Sequence, residues 1–137
     1  MALTSLLSEI KTRIEATLTS NSITGYTVKR GELAHKPDKQ IALYSYPGNG
    51  PSLGFGRPGL QYLNPGLQVS VRGTSTDYEG PHAVLNTIWE DLTTVQDELL
   101  TGTRYLLIKA NQQPFLDSRD GDQRCLWKVN FICEIEI

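Results

Sequence analysis

The chain is poor in the residue types on which most catalytic and metal chemistry depends. Its 137 residues include two cysteines, two histidines and one methionine. No Cys-x-x-Cys or His-x-x-x-His pair occurs, so no zinc site is expected. His35 and His82 stand singly in turn-like contexts. Cys125 and Cys133 fall in one strand-like segment, where extended chain would hold them about 26 Å apart. A disulfide needs Cα atoms within about 7 Å. Both therefore read as free, packed thiols, inert as nucleophiles, and synthesis in a cytoplasm is expected.

A basic excess is also missing. Thirteen Lys and Arg against fifteen Asp and Glu leave a net charge of −2. A dedicated nucleic-acid binder usually shows a basic stripe. No apolar run approaches the roughly 18 residues that span a bilayer. The opening segment, MALTSLLSEIKTRIEATL, carries Glu9 and Glu15 and lacks the unbroken apolar core of a secretory signal. An apolar fraction of 39% still permits a packed core, and a single domain over residues 1–137 is expected.

What is present is a patterned chain. Residues 3–18 space Leu3, Leu7, Ile10, Ile14 and Leu18 along one helical stripe, with Glu9, Lys11, Arg13 and Glu15 elsewhere. Strands are expected from Tyr26 to Leu33 and over QIALYSY, LQVSVR, RYLLIKA and CLWKVNFICEIEI. The segment GPHAVLNTIWEDLTTVQDEL reads as a second helix, with Pro81 in its first turn and an apolar face from Val84 to Val95. The expected class is α+β: a mostly antiparallel sheet of four to five strands with two helices on one face.

Between the second and third strands lies a stretch, residues 47–66, in which ten of twenty residues are Gly or Pro. Its core, GNGPSLGFGRPG, lacks the Lys-Ser/Thr of a P-loop and precedes a strand, not a helix, so it is no phosphate cradle. It reads as a loop or arm. Leu53, Phe55, Leu60, Tyr62 and Leu63 make it too apolar for a mere spacer. As flexible chain it would span on the order of 25 Å, enough to lie across a neighbour. The segment DSRDGDQR carries Asp117, Asp120 and Asp122 at spacings that do not fit a calcium loop. It reads as a solvated hairpin tip able to form salt bridges to a neighbour. Arg72 ends its strand on the side of Gln68 and Ser70, placed either on a solvated face or in an inter-subunit ion pair. No acid–base pair points to catalysis, and neither metal nor cofactor is expected.

The succession of PDKQIALYSYPG, a Gly/Pro stretch, PGLQVSVRG, a helix and a final strand with Asn130-Phe131 resembles the tail-terminator and minor capsid (head–tail joining) proteins of tailed bacteriophages. The likeness runs from residue 3 to 137. It implies a non-enzymatic virion protein of the tail or neck. Such a protein forms a ring, commonly a hexamer, that caps the tail tube, stops its polymerisation and presents a surface for joining the head. Its partners would be further copies of itself, the tail tube protein and a neck protein. DNA would only pass through the lumen, and no membrane is involved. On this reading Leu53, Phe55, Arg57, Arg72, Asp117, Asp120 and Asp122 are candidate contacts to a neighbouring subunit or partner. A head-side connector or completion protein is the alternative. A small ligand- or nucleic-acid-binding module is a third reading, and it predicts a monomer or dimer.

Overall fold

A computed structural model describes the backbone of residues 6–53 and 60–136, and the side chains of these residues other than 50–53, 60 and 61. Helix α1 spans Leu6–Ser20. Strands β1 (Thr27–Arg30), β2 (Gln40–Leu53) and β3 (Leu60–Ser75) follow. Helix α2 is Glu79–Leu92. The chain closes with β4 (Gln96–Leu100), β5 (Thr103–Ala110), β6 (Phe115–Arg119) and β7 (Arg124–Glu136).

The expected four to five strands are thus corrected to seven among the described residues, in one mixed sheet of order β1-β2-β3-β7-β5-β4 with β6 also on β7. The class remains α+β. β1 runs parallel to β2, and every other pairing is antiparallel. β7 is the spine. One of its edges carries β3 along most of its length, and the other is shared, β6 on Cys125 to Lys128 and β5 on Phe131 to Ile135.

The two extra strands were hidden for different reasons. QDELL continues the apparent apolar period of α2, but the helix stops at Leu92 and Thr101-Gly102, both at positive φ, turn the chain back as a hairpin. FLDSR is a short, exposed edge strand with little alternation to betray it.

Residues 47–66 are also corrected. Most of them are strand, because β2 and β3 continue as a hairpin arm through Asn49↔Asn64, Ser52↔Tyr62 and Leu53↔Leu60. The register shifts fall between Tyr46 and Leu53, the segment that holds Pro47, Gly48, Gly50 and Pro51. Proline lacks the ladder donor and is tolerated at such bulges. Glycine has a second use here: a Cβ on Gly48 would run into the Asn64 carbonyl.

Alternation decides the two faces of the sheet. Ile41, Leu43, Val69, Val71, Trp127, Val129, Phe131, Cys133 and Ile135 are buried and join Leu6, Ile10, Ile14, Leu18, Leu85, Ile88 and Leu92 of the helices in one core. The α1 stripe differs from the expected one: Leu6 takes the place of Leu7, which is half-buried, and Leu3 lies outside the described residues. Glu9 faces inward, its carboxylate accepting from Thr103 Oγ1 at 2.6 Å and from the Tyr105 hydroxyl at 3.0 Å. Burial, then the charge of Glu9, raises the Tyr105 phenol well above its ordinary range. Arg13 joins α1 to α2 and β4 through Asp91 (2.9 Å) and Glu98 (2.6 Å). Both cysteines are buried and free, and burial pushes the Cys133 thiol up to about 12. Among the described residues no helix is long and apolar enough to cross a membrane.

On the opposite face Tyr46 lies over Gly66, its partner across the ladder, and its hydroxyl donates to the Phe131 carbonyl at 3.0 Å. A Cβ at Gly66 would enter the Tyr46 ring. Gly66→Ala should therefore destabilise the protein by about 1–3 kcal/mol through overpacking. Urea unfolding measures this, and an unchanged midpoint would refute the packing described.

Candidate functional site

The open face of the sheet holds Arg72, while Asp120 and Asp122 lie in the β6–β7 turn, and the partners of these three lie within the chain. Arg72 stands on this face in register with Gln40 of β2 and Leu126 of β7. Its guanidinium donates to the carbonyls of Asp38 (3.0 Å), Ala34 (2.7 Å), His35 (3.3 Å) and Pro37 (2.8 Å). The loop of residues 31–39 is thereby folded onto the sheet, with a cis peptide bond at Lys36-Pro37. Gln40, fully buried, adds Nε2 donations to Ala34 and Pro37 and accepts from the Ala34 N–H. Arg72 is 6% exposed, so a solvated position is excluded.

Beside it lies Arg124, 4% exposed, at the start of β7. Its Nε donates to Asp120 at 2.7 Å, and its Nη1 to Asp38 at 3.0 Å and to the His35 carbonyl at 2.6 Å. Asp122 stands 3.5 Å from its Nη2. Asp120 also shapes the turn, accepting from the backbone N–H groups of Asp122 and Arg124 at 3.0 Å each. Two buried cations therefore sit side by side, surrounded by carbonyls and three carboxylates.

The electrostatics follow from that crowding. Burial, then the charge of Arg124, lowers the Arg72 pKa. Burial alone would lower Arg124 too, but its bonds to Asp120 and Asp38 raise it. The hydrogen bond from Arg124 holds Asp38 below the ordinary carboxylate range. Desolvation pulls Asp120 up, but the N–H and guanidinium of Arg124 and the N–H of Asp122 together pull it down further.

Of the seven candidate residues, the structure brings three together: Arg72, Asp120 and Asp122. Asp117 lies apart, 3.3 Å from Lys128 Nζ. Leu53 ends β2, and its side chain, with Phe55 and Arg57, lies outside the described residues. The hub of the cluster, Arg124, was missed, as was Asp38. Their signal was present in PD before the second strand and in R after the Asp-Gly turn, but only the topology shows that they meet.

A second feature of this face is a concavity of ≈ 430 Å³ lined by Tyr44, Tyr46, Gln68, Asn111 and Asn130. Gln68 Nε2 donates to Asn130 Oδ1 at 2.9 Å, and Asn111 Nδ2 to the Tyr46 hydroxyl at 3.3 Å. Its lining is phenol and amide, without a carboxylate, imidazole or thiol. The carboxylates near Arg124 neutralise a guanidinium, and among the described residues no group of three or more His, Cys, Asp or Glu is placed to hold a metal ion. Residues 50–54, Gly-Pro-Ser-Leu-Gly, match the letters of a hydrolase nucleophile elbow, but Ser52 lies opposite Tyr62 in the hairpin arm. A nucleophile elbow needs a strand turning into a helix.

This architecture has a counterpart among solved structures. A chain in the virion of a native gene transfer agent (GTA) particle superposes with a TM-score of 0.70 at 12% sequence identity, covering 96% of this chain and 95% of that one. The protein therefore has the fold of a component of a phage-like particle. No curated protein matches the chain in sequence. The family model for the bacteriophage tail terminator protein matches residues 18–137. The chain belongs to that family, and it is a structural protein of a phage virion.

Arg124→Gln should destabilise the fold by about 2 kcal/mol, less than the roughly 3–5 of a fully buried pair because Asp38 and Asp120 keep part of their hydration. The effect is pH-dependent. Both carboxyls titrate lower in the folded than in the unfolded chain, so their contribution is complete above the ordinary value of 3.8 and drains away as pH falls through their folded values. Thermal melts of the two proteins should draw together as pH falls through those folded values, leaving only the share of the bond to the His35 carbonyl. A difference that does not shrink on acidification would refute the ion-pair account.

Proposed function

We propose that the protein is the tail terminator itself: a ring-forming cap on the end of the tail tube. Membership of the tail terminator family over residues 18–137 carries this reading. In it, copies associate head to tail into a closed ring, a hexamer, each using one surface against a different surface of the next. The ring ends polymerisation of the tube protein and offers its far side to the neck of the filled head. DNA passes through the lumen without being held, which suits a net charge of −2. No chemical step is assigned to the protein, and it needs no cofactor.

The hairpin arm is the proposed contact to the tube or the neighbour. β2 and β3 carry it beyond the region where β1 covers β2, since β1 ends its pairing at Leu43. Leu53, Phe55 and Arg57 belong to this arm and are assigned to the partner surface. Asp117, on the exposed strand β6, is assigned to a second contact or to the lumen. Asp120, Asp122 and Arg72 support such a contact from within, by fixing the loop and turn beside it. A head-side neck protein would use the same surfaces, and only its place in the particle would differ.

Negative-stain microscopy of the purified protein with and without tail-tube protein tests the proposal. Rings alone, and capped tubes of defined length with the partner, are expected. A monomer that never occupies tube ends would overturn the terminator reading. Rings that bind filled heads and ignore tubes would assign the protein to the neck. Replacing residues 50–60 by a short turn should abolish capping while circular dichroism stays that of the folded chain. Intact capping would refute the role of the arm.

A further inference from the structure

Among the described residues three strands have a free edge: the short β6, which bonds only to β7, and the two strands that end the sheet order, β1, which bonds only to β2, and β4, which bonds only to β5. Exposed edges are templates for pairing with another chain and are normally blunted or covered. Neither β1 nor β4 carries proline, and although both are short, four and five residues with Asp97 of β4 at positive φ, β4 displays Leu99 at 62% exposure. The two edges also differ in charge. β1 is TVKR, and neither Lys29 nor Arg30 makes an ion pair among the described residues. β4 is QDELL, with Asp97 held by Arg104 and Glu98 by Arg13. β1 thus carries two cations without an ion-pair partner among the described residues, and β4 two carboxylates already matched by cations of β5 and α1.

Resting on the ring reading above, we infer that the copies are joined by β-augmentation, the free edge of β4 in one copy pairing with the free edge of β1 in the next. The occupant of each edge is a second copy of this chain. Main-chain hydrogen bonds supply the affinity, and Lys29 and Arg30 add second cations to the Asp97–Arg104 and Glu98–Arg13 pairs, a modest bias over which edge meets which.

The topology makes the geometry testable. β1 and β2 are parallel, and three antiparallel steps from β2 through β3 and β7 to β5 and one more to β4 leave β1 and β4 pointing the same way. In a ring of identically oriented copies the junction is therefore parallel. The strands are also staggered. Val28 lies level with Trp127, through Ile41 and Val71, whereas Glu98 lies level with Ile135, through Tyr105. That offset along β7 is about 26 Å, accumulated over six strands about 4.8 Å apart. Joining the edges tilts the strands by about 40° from the ring axis, inside the roughly 35–45° of closed barrels. Six copies at that tilt would close a wall on the order of 70 Å across.

Cross-linking tests the junction. Thr27→Cys and Gln96→Cys place thiols on the two edges at exposed positions, while both native cysteines are buried. The two single variants are mixed, assembled alone and on tail tubes, and treated with a short bis-maleimide. A covalent dimer is expected from the mixture and none from either variant alone. The doubly substituted chain should give a ladder ending at the ring size. Lys29→Glu/Arg30→Glu should weaken ring assembly at least tenfold with the monomer still folded. Rings that form without cross-links, or that tolerate the charge reversal, overturn the edge junction and leave the ring reading standing. A chain that forms no rings, in solution or on tubes, overturns both.

Discussion

Two guanidiniums side by side on one sheet face set the terms for the rest of this structure. Arg72 and Arg124 are 6% and 4% exposed, and each lowers the stability of the other's charge. Such a pair stays charged in the fold only if acceptors surround it. The chain supplies them from two directions: the carbonyls of residues 34–38, and the carboxylates of Asp38, Asp120 and Asp122. The consequence is mechanical. A loop of some nine residues and the β6–β7 turn, which share no ladder, are clamped to the same end of the sheet. The residues of PDK and VRG that suggested a family are thus, first of all, the parts of an internal clasp.

That division leaves assembly to other surfaces. The helical side is closed by the core, and the open face near Arg72 is covered by its own loop. What stays outward are strand edges, the hairpin arm and the neutral concavity between Tyr44 and Asn130. β7 makes this possible. By carrying β3 on one edge and both β5 and β6 on the other, it lets the sheet widen at opposite corners. The stagger between β1 and β4 follows from the same arrangement, so the shape of the subunit and its suitability for a closed ring share one cause.

Much of the fold was legible in the sequence where period and burial agree. The alternation from Trp127 to Ile135 and in LQVSVR marks strands buried on one face, and Leu85, Ile88 and Leu92 mark a helix. The family was legible too, through PGLQVSVRG and Asn130-Phe131. Misreadings arose where composition and tertiary context conflict. Gly and Pro from 47 to 66 read as a loop, but bulges at Pro47 to Pro51 absorb the missing donors and let the strands continue. QDEL reads as helix because Val95 and Leu99 prolong the apolar period of α2, and local sequence does not reveal that Thr101-Gly102 closes a hairpin. Glu9 reads as surface, but its partners Thr103 and Tyr105 lie more than ninety residues away. For the site, sequence named Arg72, Asp120 and Asp122 without showing that they converge, and it passed over Arg124, the residue on which they converge.

The central claim is that the clasp is complete within one subunit and that the sheet edges and the arm are what assembly covers. Amide hydrogen exchange on the free chain and on capped tail tubes tests it directly. The account predicts new protection at residues 27–30, 96–100 and along the arm, with residues 31–39 and 120–124 equally protected in both states. Protection gained chiefly at the clasp, with the edges still exchanging freely, would contradict it.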